Sequence, residues 1–189
     1  MPYPLTLHWS LSVLPGASER FIEIPEGIPG SLATLNRMRA MIRTQDAVVD
    51  HFVSGLLDLA ESQSLEPHPL AALVFEWVRS RMLYLPDRGD DELIEEIRTP
   101  GYLLQEIDRY GNAVGDCDDY VVLYGAIYAR LGWPVTLVAV STHADKLLDH
   151  VYLAIGRAEE RISIDGIVSD PFGWEVPDTE ITNKVEVPA

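Results

Sequence analysis

Residues 115–132 read Gly-Asp-Cys-Asp-Asp-Tyr-Val-Val-Leu-Tyr-Gly-Ala-Ile-Tyr-Ala-Arg-Leu-Gly and place the chain's only cysteine, Cys117, at the first turn of a strongly apolar helix. The rest of the chain reads as a support for that thiol. Gly111 and Gly115 break the preceding pattern, and Asp116 is predicted to cap the helix. The cap is expected to leave the first-turn N–H groups pointing at whatever binds beside Cys117. A thiol there sits at the positive end of the helix dipole, which favours the nucleophilic thiolate and offers donors for a developing oxyanion.

With 189 residues, 47% of them hydrophobic, the chain is long enough to bury one sizeable core and fits a single domain. Its 14 basic residues stand against 30 acidic ones, for a formal net charge of -16. Such a balance repels a phosphate backbone and an anionic membrane surface alike, so neither nucleic acid nor membrane is an expected partner. One cysteine forms no internal disulfide, and Met1-Pro2-Tyr3-Pro4-Leu5 lacks the basic and apolar regions of a signal peptide. The expected setting is cytoplasmic.

Taken in order, residues 5–14 and 20–25 alternate apolar and polar positions at period two and predict a hairpin, with His8 a half-exposed strand residue. Leu32, Leu35, Met38, Met41 and Ile42 recur at helical spacing after a cap at Ser31. Ala47, Val48, Phe52, Leu56 and Leu57 continue in a second helix, which Pro67-His68-Pro69 breaks. His51 reads as a helix-face residue and His68 as a loop residue. Residues 70–82 predict a third helix, the acidic run 90–97 a short helix or solvated loop, and 102–107 a short helix closing at Gly111. Gly132 and Pro134 then turn the chain into a buried strand at 135–140. A polar loop at 141–149 carries His143, a strand follows at 150–155, and a hairpin return runs through 161–165. The tail beyond Asp170 reads as a surface wrap anchored by Phe172 and Trp174. Helices before strands argue for an α+β domain with an antiparallel sheet packed on the cysteine helix.

Thiol acyl transfer needs a nucleophile, a base and an orienting acid, and Cys117, His150 and Asp165 supply them in that order. Cys117 heads the helix, His150 opens the second strand and Asp165 closes the third, so the last two are expected side by side at one end of the sheet. Asp165 is preferred to Asp170 because it ends the strand pattern. His143, in a loop, is the rival base.

These residues and their flanks resemble the transglutaminase-like superfamily, with its papain-like cysteine core. Gly115-Asp116-Cys117-Asp118-Asp119 with its apolar helix, then Leu131-Gly132-Trp133-Pro134, is similar to that family's nucleophile helix and following strand. His150-Val151-Tyr152 resembles its histidine strand and Ile164-Asp165 its aspartate strand. The lead-in from Phe75, Trp77 and Val78 through Tyr84, Asp87, Pro100 and Leu103-Leu104 resembles microbial and phage-borne members. The resemblance spans residues 70–174 and departs from the family at Gly166, where a proline or small residue often follows the aspartate. It implies a Cys117 nucleophile, a His150 base and an Asp165 orienter acting on amide or peptide bonds through an acyl-enzyme, with no cofactor. The implied partner is a protein or peptide substrate. Inactive descendants also occur, so a structural or assembly protein, phage structural proteins among its partners and a virion-associated location included, is the alternative.

The expected organisation is one domain over 1–189, with an N-terminal hairpin and helices at 1–69, a catalytic core at 70–174 and a tail at 175–189. Three carboxylates beside the thiol oppose its ionisation, so Asp116 is expected to cap and Asp118 and Asp119 to point away, bonded to neighbours. The same carboxylates, with His143, Asp145, Asp149 or His150, allow a metal reading, but their spacing matches neither a Ca²⁺ loop nor a structural Zn²⁺ site, and no metal is assigned. For the oxyanion, the Cys117 N–H is the expected donor, with Gln105 or Asn112 as side-chain candidates.

Overall fold

The computed structural model describes residues 21–23, 28–85, 94–143 and 148–189. Four helices precede the cysteine helix or lead into it: α1 (Ile28–Arg43), α2 (Ala47–Gln63), α3 (Pro67–Arg79) and α4 (Pro100–Tyr110). Four short strands lie among them, β1 (Phe21–Glu23), β2 (Met82–Tyr84), β3 (Ile94–Glu96) and β4 (Ala113–Gly115). After α5 (Cys117–Arg130) come β5 (Val135–Ser141), β6 (His150–Ile155), β7 (Ile162–Ile164) and β8 (Asn183–Pro188).

Helix α5 is the hub, and every residue from Asp118 to Tyr128 is buried. A helix apolar on all sides has to be enclosed on all sides. Helices α1 to α4 and strands β4, β5 and β6 all pack against it. A Cβ at Gly125 would lie 2.5 Å from Cδ1 of Ile42, so the missing side chain is what lets α1 close on α5. Along one face, Tyr120, Tyr124 and Tyr128 stand one turn apart. Their hydroxyls donate to the carbonyls of Met82 at 2.7 Å, Phe75 at 2.9 Å and Ala71 at 2.8 Å, which seats α3 and β2 along the helix. Burial pushes Tyr120 up to about 12 and raises Tyr124 and Tyr128 well above the ordinary phenol value, so all three stay neutral donors.

The main sheet has the order β7-β6-β5-β8, antiparallel throughout. Period-two alternation sorts its side chains. Leu137, Ala139, Val151, Leu153 and Ile155 join the core with α5, whereas Val138, Val140, Tyr152 and Ala154 face outward onto Val176, with Trp174 and Ile181 beside them. The chain is therefore an α+β fold with an antiparallel sheet packed on the cysteine helix, as the sequence predicts.

Local boundaries differ from the sequence reading for identifiable reasons. Pro67 and Pro69 lie in the first turn of α3, and Pro29 in that of α1, rather than breaking or preceding the helix. First-turn N–H groups have no helical acceptor, so a proline there loses nothing. Met82, predicted helical, starts β2, and that strand pairs in parallel with β4. Residues 94–96 form a strand paired with β1 instead of a helix or loop. The expected first strand, His8 and Asp145 lie outside the described residues. Phe172 does anchor the tail, its ring 5.6 Å from Phe75 and edge-on to His68, and Trp174 lies on the outer cluster. The tail does not stop at a wrap, however: β8 pairs with β5 from Thr136↔Pro188 to Ser141↔Asn183. Among the described residues no helix is long and apolar enough to cross a membrane.

Candidate active site

Asp116 caps α5 from an extended backbone, its Oδ1 accepting from the N–H of Asp118 at 3.0 Å and of Asp119 at 3.4 Å. The cap thus uses two first-turn donors that the sequence reading left open to a ligand. Cys117 is half-buried at the first helical position.

Asp119 is turned aside as expected. Its carboxylate, 1% exposed, accepts from the Arg98 backbone N–H at 2.8 Å and from Arg98 Nη1 at 3.0 Å, and Arg98 also donates to the Val114 carbonyl. One arginine thereby ties the lead-in of α4, strand β4 and the first turn of α5 together. Asp118 departs from expectation: its Oδ1 lies 3.7 Å from Cys117 Sγ, placed to accept the thiol proton. Residue 118 is buried beside the sulfur because the helix register that sends Asp119 to Arg98 leaves its neighbour one step round the first turn.

His150 and Asp165 are brought together. His150 Nε2 lies 2.7 Å from Asp165 Oδ2, with the two side chains 14% and 3% exposed, and Asp165 Oδ1 accepts from the Ile167 N–H at 3.3 Å. A carboxylate only accepts, so Nε2 carries the hydrogen and Nδ1 is the nitrogen left for a thiol proton. Asp170 plays no such part, and its backbone carbonyl accepts from Arg79 Nη1 at 2.8 Å. The rival base, His143, is 64% exposed and bonds through Nδ1 to Asp149 at 2.7 Å. Burial pushes the Asp149 carboxyl up, but hydrogen bonds from the Thr142 N–H, His143 and the Thr142 hydroxyl outweigh it and hold the group below the usual carboxylate range.

The packing orients this pair relative to α5. Leu153, midway along β6, reaches the midpoint of the helix at Gly125. Beyond Asp165, a Cβ at Gly166 would meet Tyr124 Cε2 at 2.5 Å and Tyr120 Cδ1 at 2.7 Å. The chain just past Asp165 thus packs against the Tyr120 and Tyr124 rings of α5, and only glycine allows that approach. His150 shares its strand face with Tyr152 and Ala154, the outer face, and is the first residue of β6, at the end of the sheet.

Asp116, Cys117 and Asp118 offer three ligand atoms within 4.8 Å of one another. Asp149 and His150, the partners named for a metal, are instead paired with His143 and Asp165. Gln105 lies mid-way along α4, and Asn112 is exposed in the turn after it. Sequence reasoning missed Arg98, although an aspartate one turn into an apolar helix calls for a buried cation. It also missed Glu175 and Lys184, which come from the tail.

No family model matches the chain, and no curated protein matches it. Among solved structures it is similar to the periplasmic domain of TgpA from Pseudomonas aeruginosa, there bound to ethylmercury. That alignment has 14% identity and a TM-score of 0.42 and covers 70% of this chain and 49% of the other. It is also similar to a candidate cysteine protease from Cytophaga hutchinsonii, at 12% identity and a TM-score of 0.43, over 90% of this chain and 62% of the other. The chain spans about half the length of the first structure and less than two thirds of the second. With TM-scores below 0.5 these are partial overlaps of chain path.

Proposed function

We propose that the protein is a thiol-dependent hydrolase or acyltransferase of transglutaminase-like kind, with Cys117 as nucleophile, His150 as base and Asp165 as orienter. The observation that carries the reading is the His150–Asp165 pair, 2.7 Å apart, with Gly166 next to Asp165 packed against the Tyr120 and Tyr124 rings of α5. His150 Nδ1 takes the Cys117 proton, and the thiolate attacks an amide carbonyl. The tetrahedral intermediate collapses to a thioester as the imidazolium gives its proton to the leaving amine. Water, or a second amine, then attacks the thioester with His150 again as base, releasing acid or a new amide and restoring the thiol. Asp165 fixes the ring and stabilises the imidazolium. The substrate is a protein or peptide; the microbial or phage-borne setting, cytoplasmic or virion-associated, belongs to the same proposal.

A second reading, a structural or assembly protein without turnover, is favoured by Asp118, whose carboxylate beside the sulfur works against the thiolate. Incubation of the full chain with a panel of peptide amides and amine acceptors, followed by intact-mass spectrometry, separates the two. An acyl adduct on the wild type, absent from Cys117→Ala, supports the enzyme. No adduct and no turnover, together with alkylation of Cys117 no faster than a free thiol, supports the structural protein.

A further inference from the structure

The outer face of the sheet carries a chain of polar contacts that ends under the proposed base. Arg161, between β6 and β7, donates to both carboxylate oxygens of Glu186 on β8, at 2.8 and 2.9 Å. Lys184, two residues back on β8, lies 3.3 Å from Glu186 and 3.1 Å from Glu175 Oε1. That same Glu175 oxygen accepts from the Tyr152 hydroxyl at 2.9 Å. The Tyr152 ring, 1% exposed, stacks beside the His150 imidazole, with centroids 5.8 Å apart and planes at 29°. Asp165 holds one edge of that imidazole and Tyr152 lies along its face.

We infer that Tyr152 is a positioning residue for His150, and that the C-terminal tail, through Glu175 and Lys184, is the brace that holds Tyr152 in place. The inference rests on the reading of His150 as the base. A single hydrogen bond donated to Asp165 fixes the distance of Nε2 but leaves the ring free to rotate about that bond; a flat neighbour along the ring face removes the rotation. Tyr152 can do this only if its own ring is fixed. Its buried hydroxyl needs a partner, and Glu175 supplies one. Burial, followed by the Glu175 hydrogen bond, raises this phenol far above its ordinary value, so it remains a donor at any pH the fold survives. Glu175 is half in solvent, and Lys184 keeps its carboxylate directed at the sheet. Residues that read as a surface wrap thereby acquire a role in the site without supplying any member of the triad.

The test uses the full chain labelled with ¹⁵N-histidine, in which the His150 signals are assigned among the five histidines by their loss in His150→Gln. The wild type is expected to show one sharp Nε2-protonated pattern for His150. Tyr152→Leu is expected to broaden or split it and to lower the alkylation rate of Cys117 near neutral pH on the order of tenfold, the scale of a small misplacement. Tyr152→Phe, which keeps the ring and loses the Glu175 anchor, is expected to show a smaller broadening. Unchanged His150 signals and an unchanged alkylation profile in a folded Tyr152→Leu overturn the inference. Should that variant fail to fold, Glu175→Leu and Lys184→Met, at exposed positions, carry the test with the same two outcomes. Failure of the base reading is seen separately: His150→Gln would then leave the Cys117 rate untouched, while the imidazole line widths still report on the brace.

Discussion

The Cys117 sulfur lies 3.7 Å from Oδ1 of its buried neighbour Asp118, so the first turn of α5 brings the thiol a dipole that favours its ionisation and a carboxylate that opposes it. The helix dipole is equivalent to roughly half a charge spread over the turn, whereas Asp118 is a full charge in contact. On these magnitudes an ionised Asp118 outweighs the helix, and under the proposed function a Cys117 thiolate would depend on the His150 imidazole.

Replacement of that charge is therefore predicted to release the thiol. Asp118→Asn keeps the size and hydrogen-bonding capacity of the side chain, and it is expected to move the midpoint of Cys117 alkylation to lower pH by about one unit. Iodoacetamide rates between pH 5 and 10 give the midpoint. A midpoint that stays or rises would show that Asp118 does not act on the sulfur.

The Arg98–Asp119 pair is predicted to matter for stability more than any surface ion pair. Asp119 is 1% exposed, so removing one partner strands a buried charge, and Arg98→Met or Asp119→Ala is expected to cost about 3–5 kcal/mol in urea unfolding. The double variant should cost clearly less than the sum of the two. Additive losses would mean the two side chains do not act as a pair.

Acid should weaken the tail's hold on the sheet. The Arg161 hydrogen bond holds Glu186 below the usual carboxylate range, burial pushes the other way, and the Arg161 charge and Lys184 add to the lowering. A lowered carboxyl contributes stability that is fully present above its unfolded value of about 4.3 and is lost as pH falls through the lower folded value. The melting temperature is thus expected to fall between pH 5 and pH 3, and to fall less steeply in Glu186→Gln. Equal slopes in the two proteins would contradict the assignment.

Much of this fold is legible because α5 is apolar on all sides and has a clear cap: Asp116, the helix limits and the strands at 135–140 and 150–155 follow from local pattern alone. The pairing of His150 with Asp165 is legible too, since residues that open and close adjacent antiparallel strands meet at one end. Strand β8 is not: Val185 and Val187 do alternate with Lys184 and Glu186, but the run is short, ends in Pro188 within a charged tail, and its partner β5 lies more than 40 residues earlier. Pro67 and Pro69 mislead because a first-turn proline and a helix-breaking one look identical until the helix start is known. Arg98 and the Glu175–Lys184 brace are long-range choices of partner, which no local spacing encodes. The orientation of Asp118 depends on helix register to within a single residue.

The proposed chemistry turns on whether His150 governs the state of the Cys117 thiol. The direct measurement is the alkylation rate of Cys117 against pH in the wild type and in His150→Ala. The expected result is a wild-type midpoint below that of a free thiol, about 8.5, and a midpoint at or above that value once the imidazole is gone. Superimposable profiles would contradict it.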